Sequence, residues 1–96
     1  MTDEQFSVHC SPFGFGWKCR VFVGSVEEGV EHLVLVSGVE LGRYAPGAAE
    51  PRPLVEESFR FLLEREPPSA ILRKFALSEI ERYFPEYRAE IAERLA

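Results

Sequence analysis

The sequence predicts an α+β domain: a three-stranded antiparallel β-meander followed by three or four C-terminal helices packed on one sheet face. Three observations predict it. Residues 5–37 alternate apolar and polar side chains between glycine-containing turns. Residues 54–95 place apolar side chains at helical spacing. No internal repeat or low-complexity tract links the two halves. Strands first and helices later is the α+β arrangement. At 96 residues the chain suits one domain, spanning 1–96.

The first strand is read from Gln5 to Cys10, with Phe6, Val8 and Cys10 on one face and Ser7 and His9 on the other. Ser11-Pro12-Phe13-Gly14-Phe15-Gly16 is a turn signal. With Gly14 and Phe15 at its centre it reads as a type II′ hairpin, whose first central residue needs positive φ. The chain returns over 17–24, with Trp17, Cys19, Val21 and Val23 facing one way and Lys18, Arg20 and Phe22 the other. That register sets Cys10 opposite Cys19, and a slip of one residue would move one of them to the other face. Ser25-Val26-Glu27-Glu28-Gly29 reads as a second turn. A third strand follows from Val30 to Ser37, apolar on both faces at Leu33-Val34-Leu35-Val36 and therefore the most buried.

Residues 42–53 contain two glycines and three prolines and read as the connection between the halves. A helix then begins after Pro53, with Leu54, Val55, Phe59, Leu62 and Leu63 as its apolar stripe and Glu56–Arg60 as a pair on its wet side. Pro67 and Pro68 stop it. Ser69 is read as the cap of a short helix bearing Ile71, Leu72 and Phe75. Ser78 and Glu81 have capping-box spacing for a further helical turn. Pro85 suits the first position of the last helix, along which Tyr87, Ile91 and Leu95 share a side and Glu90 can pair with Arg94.

Charge and composition narrow the function. The net charge is −5, which opposes binding to a nucleic-acid backbone, and no dense basic cluster stands out. No apolar run reaches the ~18–20 residues that span a bilayer. The N-terminus is acidic and polar, unlike a signal peptide, so the expected compartment is the cytoplasm. Two cysteines are too few for a disulfide scaffold. In a reducing compartment they read as small thiols on the core face; the register also allows a cross-strand disulfide, which such a compartment disfavours.

Few residues offer chemistry. Cys10, Cys19, His9 and His32 are four potential zinc ligands, but the predicted register keeps them apart, and no metal or cofactor is expected. Glu27-Glu28, Glu56-Glu57 and Glu64 with Glu66 fall on turns or polar helix faces, where carboxylates are ordinarily solvated. Phe13-Gly14-Phe15-Gly16-Trp17 resembles the aromatic-glycine core of RNA-recognition and cold-shock motifs, whose rings stack on bases. Lys18 and Arg20 are its basic companions. The acidic balance instead favours a tight hairpin, or an aromatic patch that docks another protein. Arg43-Tyr44, at the mouth of the 42–53 loop, could bind an anion or a partner.

Two further resemblances involve longer stretches. Glu28-Gly29-Val30-Glu31-His32-Leu33-Val34-Leu35-Val36-Ser37-Gly38 is similar to a strand segment of GTP cyclohydrolase II. That family's zinc cysteines and Arg-His-Ser-Glu stretch have no counterpart downstream, so the resemblance implies a shared β-hairpin and no activity. The tail, with Leu62-Leu63-Glu64-Arg65-Glu66-Pro67, Ile71-Leu72-Arg73 and Ile80-Glu81-Arg82-Tyr83-Phe84-Pro85-Glu86-Tyr87, resembles the C-terminal part of small uncharacterised bacterial proteins. It implies a bacterial protein and supplies no catalytic residue.

The expected function is a non-enzymatic binding or interaction module that self-associates as a homodimer, since a small sheet covered on one face leaves Phe22 and Leu33 or Leu35 less covered. Its candidate binding residues are Phe13, Phe15, Trp17, Arg20, Arg43 and Tyr44. One alternative is a ligand-binding protein or enzyme with a site between sheet and helices near Cys10, Cys19 and Trp17. The other is a single-stranded nucleic-acid binder acting through Phe13–Trp17.

Overall fold

A computed structural model describes residues 6–24 and 29–96. The predicted start of the first strand at Gln5 and most of the 25–29 turn lie outside those residues. The elements are β1 (Phe6–Phe13), β2 (Gly16–Val23), β3 (Val30–Ser37), α1 (Gly38–Tyr44), α2 (Arg52–Leu63), β4 (Lys74–Ala76), α3 (Glu79–Tyr83) and α4 (Tyr87–Leu95), with a 3-10 turn at Pro68–Ala70. The sheet order is β1-β2-β3-β4. The fold is α+β, as the sequence predicts, but the sheet is mixed and has a fourth strand.

β1 and β2 pair in the predicted register, with Cys10 opposite Cys19. Gly14 has φ +60° and Phe15 has no positive φ, which is the type II′ pattern. Alternation then sorts the side chains. Val8, Cys19, Val21, Val23, Val34 and Val36 are buried with Leu54, Val55, Phe59, Phe61, Tyr87 and Ile91 from the helices. Ser7, His9, Arg20 and Glu31 on the opposite face are exposed, and Lys18, Phe22, Leu33 and Leu35 are half-buried. One face is therefore a core and the other is open.

The differences from prediction have local causes. Residues 38–44, expected to be irregular in part, form α1. Ser37 Oγ accepts from Glu40 N, and Ser37 N donates to Glu40 Oε1, a capping box that starts the helix immediately after β3. Residues 71–75, expected as a short helix, are not helical, and Lys74–Ala76 form β4 instead. Leu33 N donates to Arg73 O and Leu77 N to Leu35 O, so the free edge of β3 takes a parallel strand. An unpaired strand edge competes for backbone groups, and a three-residue strand leaves no periodic signal. The predicted Ser78–Glu81 capping box is absent: the Ser78 side chain makes no cap bond. Its backbone N–H is taken by Glu40 Oε2 instead. Pro85 precedes α4 rather than opening it. Glu56 pairs with Arg52, and Arg60 with Glu57, in place of the predicted Glu56–Arg60 pair. Glu90–Arg94 forms as expected.

Aromatic packing fixes the helical layer. Phe59 contacts the rings of Phe6, His32 and Phe75. Tyr87 packs edge-on to Tyr44 and Phe61. Its hydroxyl, 2.6 Å from Ser58 Oγ, is the donor there, because Ser58 Oγ donates to Leu54 O. Burial pushes the Tyr87 phenol up, so it stays neutral.

His32 is fully buried in this core. Its Nδ1 lies 2.8 Å from Leu72 O. A carbonyl only accepts, so Nδ1 carries the proton and Nε2 keeps a bare lone pair, with no partner among the described residues. Desolvation lowers its pKa below 6.5, more than the Leu72 hydrogen bond raises it, and Arg73 lowers it further. The unfolded imidazole binds a proton more readily, so stability from this site is fully present above pH 6.5 and falls as the pH drops below it. The expected slope is at most about 1.4 kcal/mol per pH unit. Urea unfolding of wild type and His32→Leu between about pH 6.5 and 5, above most carboxylate titration, will show the slope only in the wild type. Equal slopes would refute it.

Candidate functional site

Four of the six predicted binding residues meet at the hairpin end of the sheet. Phe13, Phe15, Trp17 and Arg43 line a groove of about 550 Å³, together with Leu35, Val39 and Ser78. The type II′ turn projects Phe15 fully into solvent, and Phe13 and Val39 are 55% and 71% exposed. Trp17, on the covered face, is half-buried against the core. The aromatic side chains therefore occupy a rim and both sheet faces, not one stacking platform.

The other two lie elsewhere. Arg20 is exposed on the open sheet face, beside Lys18, Glu31 and Arg73. Tyr44 is a correction. It is buried, its ring packs edge-on to Tyr87, and its hydroxyl donates to Glu81 Oε1 at 2.6 Å. Burial and that hydrogen bond push its pKa up. It belongs to the core because α1 turns it inward, whereas a loop would have left it at the surface.

The groove offers contact rather than reaction. Ser37 Oγ is occupied as the cap of α1, and both Glu40 oxygens accept backbone N–H groups. The carboxylate thus pins β3, α1 and the start of α3 together. The Cys10–Cys19 pair, one centre of the enzyme alternative, is a disulfide rather than two thiols. His9 and His32 sit on opposite faces of the sheet, so they do not converge with it.

Leu35 and Phe13 join the groove to the open face. Lys18 and Arg20 on β2 stand opposite Leu35 and Leu33, and Phe22 stands opposite Glu31. On the other side of β3, Lys74 is beside Leu33 and Ala76 beside Leu35. Lys18 Nζ lies 5.1 Å from the Phe13 ring centroid. Sequence reasoning found Phe22, Leu33 and Leu35 but missed Val39 and Lys74, which sit on the two elements it did not predict. The Ser37-Gly38-Val39-Glu40 spacing was the available signal for Val39; Lys74 had none.

No family model, curated protein or solved structure matches the chain. No described helix is long and apolar enough to cross a membrane.

Proposed function

We propose that the protein is a non-enzymatic interaction module, with the open sheet face and the adjoining hairpin groove as its docking surface. One observation carries this reading. The helices cover a single face of the sheet, leaving Phe22, Leu33 and Leu35 half-buried and continuous with the exposed Phe13, Phe15 and Val39. A contiguous apolar patch with a polar rim is the usual mark of a protein-binding site. A bacterial setting adds no chemistry to this reading, and a cytoplasmic one would hold Cys10 and Cys19 as thiols in place of the disulfide.

A second copy of the chain is the simplest partner, since two-fold dimers are the commonest assemblies. Charge opposes the direct face-to-face form. A face-to-face two-fold dimer would bring the Lys18, Arg20 and Lys74 cluster of one copy against the same cluster of the other, and like charges brought together raise the cost of association. We therefore favour a different chain as the partner.

Photo-cross-linking in the native cell tests both statements. A photoreactive residue at position 33 is expected to give a discrete adduct with a different polypeptide, while one at the exposed Arg88 gives none. An adduct at twice the chain mass would restore the homodimer. Absence of any polypeptide adduct specific to position 33 would overturn the module reading.

A further inference from the structure

We propose that the open sheet face binds an acidic amphipathic helix of a partner protein. This rests on the interaction-module reading and names the occupant of its surface.

The first argument is charge segregation. The chain has 16 acidic and 11 basic residues. In the helical layer Arg52, Arg60, Arg65 and Arg94 all pair with glutamates, through Glu56, Glu57, Glu64, Glu86 and Glu90. On and around the open face the pattern reverses. Among the described residues Lys18, Arg20, Arg43, Arg73 and Lys74 make no ion pair. Among the described residues Glu31 is the acid that shares the face with them. Arg82 and Arg88 on the helices are also without an ion pair among the described residues, but the other five unpaired cations gather beside exposed apolar surface, which offers a complementary site for negative charge.

The second argument is the layout of that surface. The β3 row of Leu33 and Leu35 runs down the middle. Arg20 and Lys18 flank it on β2, and Lys74 flanks it on β4. The matching shape is an apolar ridge with acids on both sides, which is an amphipathic helix rich in glutamate or aspartate. The spacing agrees. Side chains two apart on a strand are separated by ~6.8 Å, and residues i and i+4 of a helix rise ~6 Å. A helix lying along β3 would continue into the groove at Phe13, Phe15 and Val39.

The same features weigh against a single-stranded nucleic acid. The middle of the face is aliphatic, and base stacking needs aromatic planes. Lys18 already lies over the Phe13 ring.

The experiment uses the full chain and three labelled probes. One is a peptide of about 18 residues, long enough to hold helix, with leucines four apart flanked by glutamates. The second replaces those glutamates with lysines. The third is oligo(dT). Anisotropy titrations are expected to show binding of the acidic peptide only. Amide shifts should fall on Lys18–Phe22 and Glu31–Leu35. The affinity should drop at least tenfold between about 0.1 and 1 M salt, where the screening length falls from roughly 10 to 3 Å. Arg20→Gln with Lys74→Gln, both exposed and unpaired, should weaken binding about tenfold with the circular dichroism unchanged. Leu33→Ala should weaken it without removing the salt dependence.

Equal binding of the lysine peptide, binding of oligo(dT) in place of the acidic peptide, or no binding at all would each overturn the proposal. If position 33 still cross-links to a polypeptide in any of these cases, the module reading survives and only the occupant is wrong. Loss of that cross-link as well would remove both.

Discussion

Replacing Gly16 with alanine is expected to destabilise the protein by about 1–3 kcal/mol, the usual cost of forcing extra volume into a packed site. The cause is backbone, not side chain. A Cβ at position 16 would stand 2.1 Å from Val36 O and 2.7 Å from Ser37 Cα. Neither atom can rotate away, because β2 and β3 are in register there, with Gly16 beside Ser37. The nearby Gly38 N also donates to Phe15 O, tying the hairpin tip to the start of α1. Relief requires the hairpin end to lift off β3, and that movement would open the groove. Urea unfolding should report the lost stability, and fluorescence of Trp17, half-buried in that groove, should report the displacement. Gly42→Ala is the control, since a Cβ there meets nothing within 4 Å and the glycine is exposed in a helix. Exchanging Gly for Ala in a helix should be neutral or stabilising. Equal stability of Gly16→Ala and wild type would show that the two strands are not held as closely as described.

The same corner shows which features were legible in the sequence. The period-two alternation, the Gly14 turn and the opposition of Cys10 and Cys19 follow from local rules, because a two-residue loop sets the register of everything beyond it. The open face was legible for the same reason: Phe22, Leu33 and Leu35 fall on odd or even positions that the register assigns. β4 was not legible. Lys74–Ala76 is a strand because Leu33 and Leu35 offer backbone groups that Arg73 O and Leu77 N take up, a demand set by residues some forty positions earlier. Its local sequence, Ile-Leu-Arg-Lys-Phe-Ala-Leu, carries spacing that suits a helix equally well. The misplacement of Tyr44 had a different origin. Ser37 and Glu40 have capping-box spacing, but glycines at 38 and 42 hid the helix between them. Arg43 and Tyr44 then read as neighbours on one loop, whereas a helix turns consecutive residues about 100° apart. One was sent to the groove and the other to the core.

Reduction of the Cys10–Cys19 bond is expected to remove on the order of 2–3 kcal/mol of stability, by limiting the unfolded chain less over the nine residues it spans. A domain of this size holds only about 5–15 kcal/mol in total, so the loss is a large share. It should fall unevenly. β1 is an edge strand, held by β2 on one side and by side-chain packing of Phe6 and Val8 beneath it. The bond joins β1 to β2 at mid-strand, so its loss should free β1 before β3 or the helices. Hydrogen exchange with and without reductant should therefore show faster exchange at residues 7–13, with residues 32–36 retaining their protection. Cys10→Ala with Cys19→Ala should behave like the reduced protein. Unchanged exchange and an unchanged urea midpoint, with thiol titration proving that the bond is open, would mean that packing alone fixes the hairpin. The compartment then decides how the hairpin end behaves. In a reducing cytoplasm the pair stands as two thiols on the covered face, and Phe13 and Phe15 sit on a looser hairpin. Under oxidation β1 is tied to β2, and the groove should keep the shape described. The face formed by Leu33, Leu35, Arg20 and Lys74 draws on β2, β3 and β4, so it should keep its form in both states.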